Sequence, residues 1–273
     1  MIITTDGISA VPPLPHPRVR LTAVDAGYGR RPVLREVTLD VPALGVTSLT
    51  GPNGSGKSTL LGVLAGVIRP TAGTVRHGSG HAPAFVPQRS TAGDALPLTV
   101  RRTVEMGRWY ARGPWRRLTS GDHDAVDEAL ERLGIAPLAA RQLGELSGGQ
   151  RQRAFIAQGL AQRSDLLLLD EPCTGLDPEA RQGIEHLLAD IAAEGTTVVQ
   201  ATHDLTAARA GQHCLLLRDG RLEAAGAPAD VLPPARTAGP STSALGRTPG
   251  RTPAAAAGPP ARSSAPATRR PRG

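Results

Sequence analysis

Of the 31 basic residues in the sequence, 30 are arginine. The one lysine, Lys57, lies in a glycine-rich run: Gly51, Pro52, Asn53, Gly54, Ser55, Gly56, Lys57, Ser58, Thr59. Glycines at this spacing let the backbone curl until successive N–H groups face one point, and a helix beginning at Lys57 would add its positive end. Such a loop cradles phosphates. Lys57, a compact point charge that arginine replaces poorly, would reach the β and γ phosphates, and the Ser58 hydroxyl would coordinate Mg²⁺. A second cluster can complete that chemistry. The aliphatic run Leu166 to Leu169 ends in two carboxylates, Asp170 and Glu171. Asp170 would hold the metal, and Glu171 would orient or deprotonate an attacking water. Taken alone, the pair also reads as a helix start, because Pro172 follows.

These groups need a scaffold that brings loop and carboxylates to one edge. Val46 to Thr50 is a short β-favouring run that ends at Gly51, and Lys57 to Ile68 reads as a helix, so the loop joins strand to helix. Leu166 to Asp170 and Thr196 to Ala201 read as buried parallel strands, linked by a helical stretch from Pro178 to Ala193 that Gly195 closes. Open α/β sheets bind ligands at the carboxyl ends of such strands. Val19, Leu21 and Ala23 alternate with polar residues as a half-exposed strand would. From about Thr99 to Leu143 the pattern becomes Arg-rich and helical (Val104, Met106 and Trp109, then Val126, Leu130 and Leu133), with breaks at Gly113-Pro114 and Gly121. This stretch is expected to form an inserted helical subdomain. The expected fold is α/β, a P-loop NTPase with a mixed sheet core.

Twenty positions separate Asp170 from the end of another short motif, Leu146, Ser147, Gly148, Gly149, Gln150. With it the sequence resembles the nucleotide-binding subunits of ABC transporters, over roughly Val19 to Leu232. Ser147, Gly148 and Gly149 would open a helix running to about Arg163, a second anion-binding helix end. In the family that end meets the γ-phosphate held by the other protomer. The resemblance therefore implies a homodimer that encloses two ATP molecules, built from an ATPase domain at 18–232. That domain would carry an antiparallel β-subdomain and a helical subdomain at about 90–163. Tyr28, 23 positions before the loop, matches the aromatic that stacks on adenine, although Gly-Tyr-Gly also reads as a surface turn. Gln88 matches the glutamine that touches Mg²⁺ and water and leads into the helical subdomain. Asp177 matches the loop that crosses between protomers, and before Pro178 and Glu179 it also reads as a helix cap. His203 matches the histidine that contacts the γ-phosphate. The stretch from Val75 to Gln88 departs from the pattern, being shorter than the usual hairpin.

Composition narrows the function. The net charge of +7 is carried by the tail: from Pro233 to Gly273 there are seven arginines and no acidic residue, and the rest of the chain balances 24 basic against 24 acidic residues. A neutral body argues against a nucleic-acid machine. The tail, at 233–273, is rich in Pro, Ala and Arg and is expected to be disordered. Residues 1–17 read as a flexible leader, without the charged start and apolar run of a secretion signal. No aliphatic run approaches the ~20 residues a bilayer span requires. Any membrane work therefore falls to a partner, and the expected place is peripheral, at the cytoplasmic face of the plasma membrane. Cys173 and Cys214 fit neither a disulfide framework nor a zinc cluster. His77 and His81 read better as turn residues than as metal ligands.

The family offers a partner and a direction. Val86-Pro-Gln-Arg-Ser90, Leu96-Pro-Leu-Thr-Val-Arg and Thr103-Val-Glu-Met-Gly-Arg108 are most similar to ATPases of bacterial zinc and manganese importers. Such systems pair the ATPase with integral membrane permease subunits and a solute-binding protein. ATPases of siderophore or cobalamin importers carry similar strings, and an exporter is a further alternative. Soluble relatives that act on DNA place a long coiled coil between the two glycine motifs, whereas Lys57 and Ser147 are 90 positions apart here. Relatives that act on ribosomes carry two nucleotide sites in one chain, and this sequence has one.

Overall fold

Strands of Leu, Val and Ala, almost free of aromatic bulk, can be covered closely on both faces, and they form the centre of the structure. The computed structural model describes residues 16–29, 31–78, 81–88 and 97–234. The leader up to residue 15, the tail from 235 onward, and Arg89, Ser90 and Leu96 lie outside the described residues. The chain divides into two units, Met1–Pro234 and Ala235–Gly273, and all the elements below belong to the first. They are, in order, β1 (Pro17–Tyr28), β2 (Arg31–Pro42), β3 (Gly45–Thr50), α1 (Lys57–Leu64), β4 (Ala72–His77) and β5 (Ala84–Val86). The helical stretch follows as α2 (Val100–Glu105), α3 (Trp109–Arg112), α4 (Ser120–Arg132) and α5 (Gly148–Leu160). The chain returns through β6 (Leu166–Asp170), α6 (Pro178–Ala193), β7 (Thr197–Ala201), α7 (Leu205–Ala210), β8 (His213–Arg218), β9 (Arg221–Gly226) and α8 (Pro228–Val231).

Two sheets result. A mixed sheet has the order β5-β6-β7-β3-β8-β9, parallel throughout except for the β8–β9 pair. An antiparallel sheet has the order β2-β1-β4. The architecture is thus the expected α/β one, with a mixed core sheet and a separate antiparallel sheet. Strand alternation decides which core each side chain joins. Leu166 and Leu168 of β6 pack with α1 and the antiparallel sheet, while Leu167 and Leu169 pack with α5, α6 and the helices before them. All four are fully buried, each contributing about 1.5–3 kcal/mol relative to exposure. Through β6, both cores hold the strand that delivers Asp170.

Local details differ from the sequence pattern at four places. A bulge between Leu21 and Val24 breaks the alternation in β1, so Val24 and Ala26 take the inward positions and Ala23 is exposed at φ +47. The helix α1 ends at Leu64 rather than Ile68. Gly66, at φ +72, lets the chain fold back so that its own N–H bonds the Val63 carbonyl and Val67 N–H bonds that of Gly62. Helix α5 ends at Leu160, before Arg163, which takes φ +55. The described residues between Val75 and Gln88 form no hairpin of their own: β4 joins the antiparallel sheet beside β1, and β5 joins the mixed sheet beside β6.

Candidate active site

The loop after β3 is shaped by contacts on three sides. A Cβ at Gly51, where φ is +148, would stand 2.0 Å from the Leu217 carbonyl oxygen, so only glycine allows this approach to β8. The Ser55 carbonyl accepts from Gly220 N–H at 3.0 Å, and the Gly220 carbonyl accepts from Arg35 N–H at 2.9 Å. The β8–β9 turn thereby clamps the loop to β2. Gly56, at φ +105, is the N-cap of α1 and offers the helix no side-chain cap. Lys57 is buried, and its Nζ donates to the carbonyls of Gly51 at 2.9 Å and Pro52 at 3.1 Å. The ammonium is held at the loop by its own backbone.

The carboxylates arrive from β6, separated from β3 only by β7. Asp170 is buried with its Oδ1 free of any hydrogen-bond partner. Burial pushes its carboxyl above the usual range; the Ser58 hydroxyl pulls it down, the Glu171 charge pushes it up, and Lys57 pulls it down. Glu171 takes φ +52, an uncommon backbone region for a side chain of this size, and its N–H donates to the Ala201 carbonyl at 3.0 Å. That bond ties Glu171 to the end of β7, from which His203 follows. His203 Nδ1 lies 2.6 Å from Glu171 Oε2, and the Thr174 hydroxyl donates to the same oxygen at 2.8 Å.

One cavity of about 530 Å³ is lined by Val33, Asn53, Gly54, Gly56, Lys57, Ser58, Thr59, Gln88, Glu171, Thr174 and His203. Gly51, Pro52 and Ser55 of the same loop do not line it. Ser58 and Gln88 line the cavity, and Asp170, which does not line it, lies against the Ser58 hydroxyl with an unsatisfied buried oxygen; these side-chain oxygens are the hard donors that suit a small divalent cation. The remaining candidates lie elsewhere. Tyr28 is 59% exposed at the end of β1 and does not line the cavity. Asp177 caps α6, accepting from Ala180 N–H at 2.9 Å. Leu146 is buried, and Ser147 caps α5 in a reciprocal pair with Gln150: Gln150 N–H donates to Ser147 Oγ at 3.3 Å and Ser147 N–H to Gln150 Oε1 at 3.1 Å. Gly149 stands against Ala180 at the start of α6. None of Leu146, Ser147, Gly148, Gly149 or Gln150 lines the cavity around Lys57.

Two lining residues escaped the sequence reading. Thr174 had a local signal, a hydroxyl three positions after a carboxylate in a Pro-bearing turn, whereas Val33 arrives from β2 across the sheet with none. Burial pushes the Cys173 thiol up to about 12 and the Cys214 thiol to about 11, so both stay protonated and free. Among the described residues no cluster of His, Cys, Asp and Glu could hold a metal by itself, His77 and His81 included.

Comparison with known proteins places this geometry. Residues 34–174 match the family model described as ABC transporter. The Bacillus subtilis high-affinity zinc uptake system ATP-binding protein ZnuC is 39% identical over 198 residues, spanning 68% of this chain and 84% of that protein. The Streptomyces coelicolor hemin import ATP-binding protein HmuV is 40% identical over 237 residues, spanning 81% of this chain and 83% of that protein. Among solved structures, an inward-facing metal-chelate type ABC transporter superposes with a TM-score of 0.72 at 30% identity, covering 80% of this chain and 86% of that one.

Proposed function

The chain belongs to the ABC transporter family as an ATP-hydrolysing subunit, and from that membership we propose that it drives uptake of zinc or manganese through a separate membrane permease. The observation that carries the hydrolytic reading is the meeting of Lys57, Ser58, Gln88 and the Glu171–His203 pair in one cavity. Lys57 exchanges the loop carbonyls for the β and γ phosphates, and the backbone of Gly51 to Thr59 cradles them. Glu171 Oε2 is occupied by His203 and Thr174, which leaves Oε1 to take the proton of the attacking water. His203 keeps its other nitrogen for the γ-phosphate. Ser58, Gln88 and Asp170 would hold Mg²⁺, which supplies positive charge to the phosphate oxygens.

One element is missing from this cavity. The Ser147 helix tip lines no part of it, so a second copy supplies Leu146 to Gln150, and a homodimer encloses two ATP molecules. Asp177 then lies at the crossing between copies, and Tyr28 closes over adenine. Among the described residues no helix is long and apolar enough to cross a membrane. As a subunit of this family, it works peripherally in this reading, on the cytoplasmic face of the plasma membrane, with permease subunits and a solute-binding protein.

Zinc or manganese is supported by the strings around Gln88 and Thr103 and by the likeness to a zinc uptake ATPase. A second reading, a heme or metal-chelate importer, is favoured by a relative that matches more of the chain. Uptake of labelled zinc, manganese and hemin by cells lacking the gene separates them. Loss of zinc or manganese uptake alone, restored by the parent chain and not by Glu171→Gln, is the expected result; loss confined to hemin transfers the assignment. In purified protein, Glu171→Gln should retain ATP binding, lose about 100-fold or more in turnover, and accumulate as an ATP-bound dimer on a sizing column. Undiminished turnover would remove Glu171 from its role.

A further inference from the structure

A second cavity of about 200 Å³ shares Glu171, Thr174 and His203 with the first, and the hydrolytic roles above leave the rest of its lining unused. Its wall includes Cys173, whose protonated thiol is inert, and an ion pair, Arg181 with Asp204. Arg181 Nη1 donates to Asp204 Oδ2 at 2.5 Å, reaching across 23 positions from the first turns of α6. Asp204 is the residue after His203. Its Oδ1 accepts from Thr206 N–H at 2.8 Å and caps α7, while its own N–H donates to Thr202 Oγ1 at 3.0 Å. Thr202 N–H in turn donates to the Leu49 carbonyl at 2.9 Å, near the end of β3.

His203 sits between these two anchors. Its ring is 59% exposed, with its hydrogen bond to Glu171 as the contact that orients it. The ring can meet Glu171 only if the backbone at 202–204 is held, and Arg181 is what holds Asp204 from another element. Arg181 N–H also donates to the Asp177 carbonyl at 3.0 Å, in the turn where Asp177 caps α6. Asp177, Arg181 and Asp204 are thus joined by hydrogen bonds, the backbone carries on from Asp204 to His203, and His203 bonds Glu171, a continuous path from the start of α6 to the reacting carboxylate.

We propose that Arg181 is a positioning residue for ATP hydrolysis, setting His203 against Glu171 through Asp204 and coupling that pair to the turn at Asp177. The inference rests on the roles proposed above for Glu171 and His203. A displacement of the Asp177 turn, as when a second copy docks on it, moves Arg181 and resets the pair. An ion pair this exposed adds little to stability, whereas a misplacement of about 1 Å at a reacting group can cost about 100-fold in rate. Stability and turnover therefore separate a positioning role from a structural one.

The test uses the purified full chain as Arg181→Ala, Arg181→Lys, Asp204→Asn and the Arg181→Ala/Asp204→Asn double variant, with kcat, KM for ATP and Tm measured for each. Arg181→Ala is expected to lose about 10- to 100-fold in kcat, with KM within about twofold and Tm within about 3 °C of the parent. Arg181→Lys should recover part of the loss, and the double variant should be no slower than the worse single one. A kcat for Arg181→Ala within about twofold of the parent, additive losses in the double variant, or a fall in Tm that tracks the fall in kcat would each overturn the inference. Glu171→Gln is measured beside them. If it hydrolyses ATP normally, the base assignment and this inference both fall; if it is inactive while Arg181→Ala is fully active, only this inference falls.

Discussion

Two helix tips in this molecule are built from the same small residues, and they are finished in opposite ways. At α1, Gly56 caps the helix without a side chain, and the loop before it is held from outside by Gly220 and Leu217. At α5, Ser147 and Gln150 satisfy each other's backbone donors in a capping box. The first tip keeps its N–H groups for a ligand and has Lys57 beside it; the second spends two of them on itself. A tip of the first kind is arranged to receive a phosphate within one chain. A tip of the second kind can add a contact only when a phosphate is already fixed in front of it.

The same contrast separates two buried carboxylates. Asp170, beside the first tip, has an oxygen without a partner and a carboxyl pushed up by burial. Asp122, in the helical stretch, is also buried, but both its oxygens are taken by Arg108, Arg112 and Thr119. The Thr119 backbone N–H, then the Thr119 hydroxyl and the Arg108 charge, hold Asp122 well below the usual carboxylate range despite its burial. The sheet edge is left incomplete for a ligand, whereas the helical stretch is complete in itself.

The largest expected break in this contrast comes at Lys57. Lys57→Ala should weaken ATP binding about 100-fold in a titration of the single chain, because the ammonium contributes only at the first tip. Unchanged affinity would mean that the two tips are not different in kind. Ser147→Ala should leave that binding within about twofold and lower turnover about 10-fold. It should also cost about 1 kcal/mol of α5 stability in urea unfolding, whereas Ser147→Gly should cost only a few tenths. If Ser147→Gly keeps full turnover, the hydroxyl serves the cap alone and the tip's remaining N–H groups do the work.

The smallest effect is in acid stability, and its sign differs between the carboxylates. Asp122 has a depressed native pKa, so its contribution is complete above its unfolded value of about 3.9 and drains away as pH falls through and below that value. Asp170 has a raised one, so its contribution falls as pH rises from about 3.9 through its native value. Urea unfolding of Asp122→Asn between pH 5 and pH 2 should therefore show a flatter pH dependence than the parent. A parallel curve would show that the Asp122 network adds nothing that depends on its charge.

Much of the site was legible because it depends on neighbours along the chain. The loop from Gly51 to Thr59, the carboxylates after Leu169, and the helix starts at Ser147 and Asp177 all follow from local rules that act over about four residues. The overlong reading of α1 failed on the same scale, since Gly66 outweighed the apolar pattern that runs on to Ile68. In β1 the alternation pointed to Ala23, and the bulge in its pairing with β2 moved Val24 inward.

The residue types and their spacing in the sequence were enough to determine the glycine-rich loop between strand and helix, the strand-end carboxylates and the family they indicate. Tertiary structure alone decided that His203 and Thr174 share one oxygen of Glu171, that Val33 lines the cavity while Tyr28 does not, and that Arg181 reaches Asp204. The reason is the strand order β5-β6-β7-β3-β8-β9. It sets distant segments side by side, and no local preference along the chain carries that information.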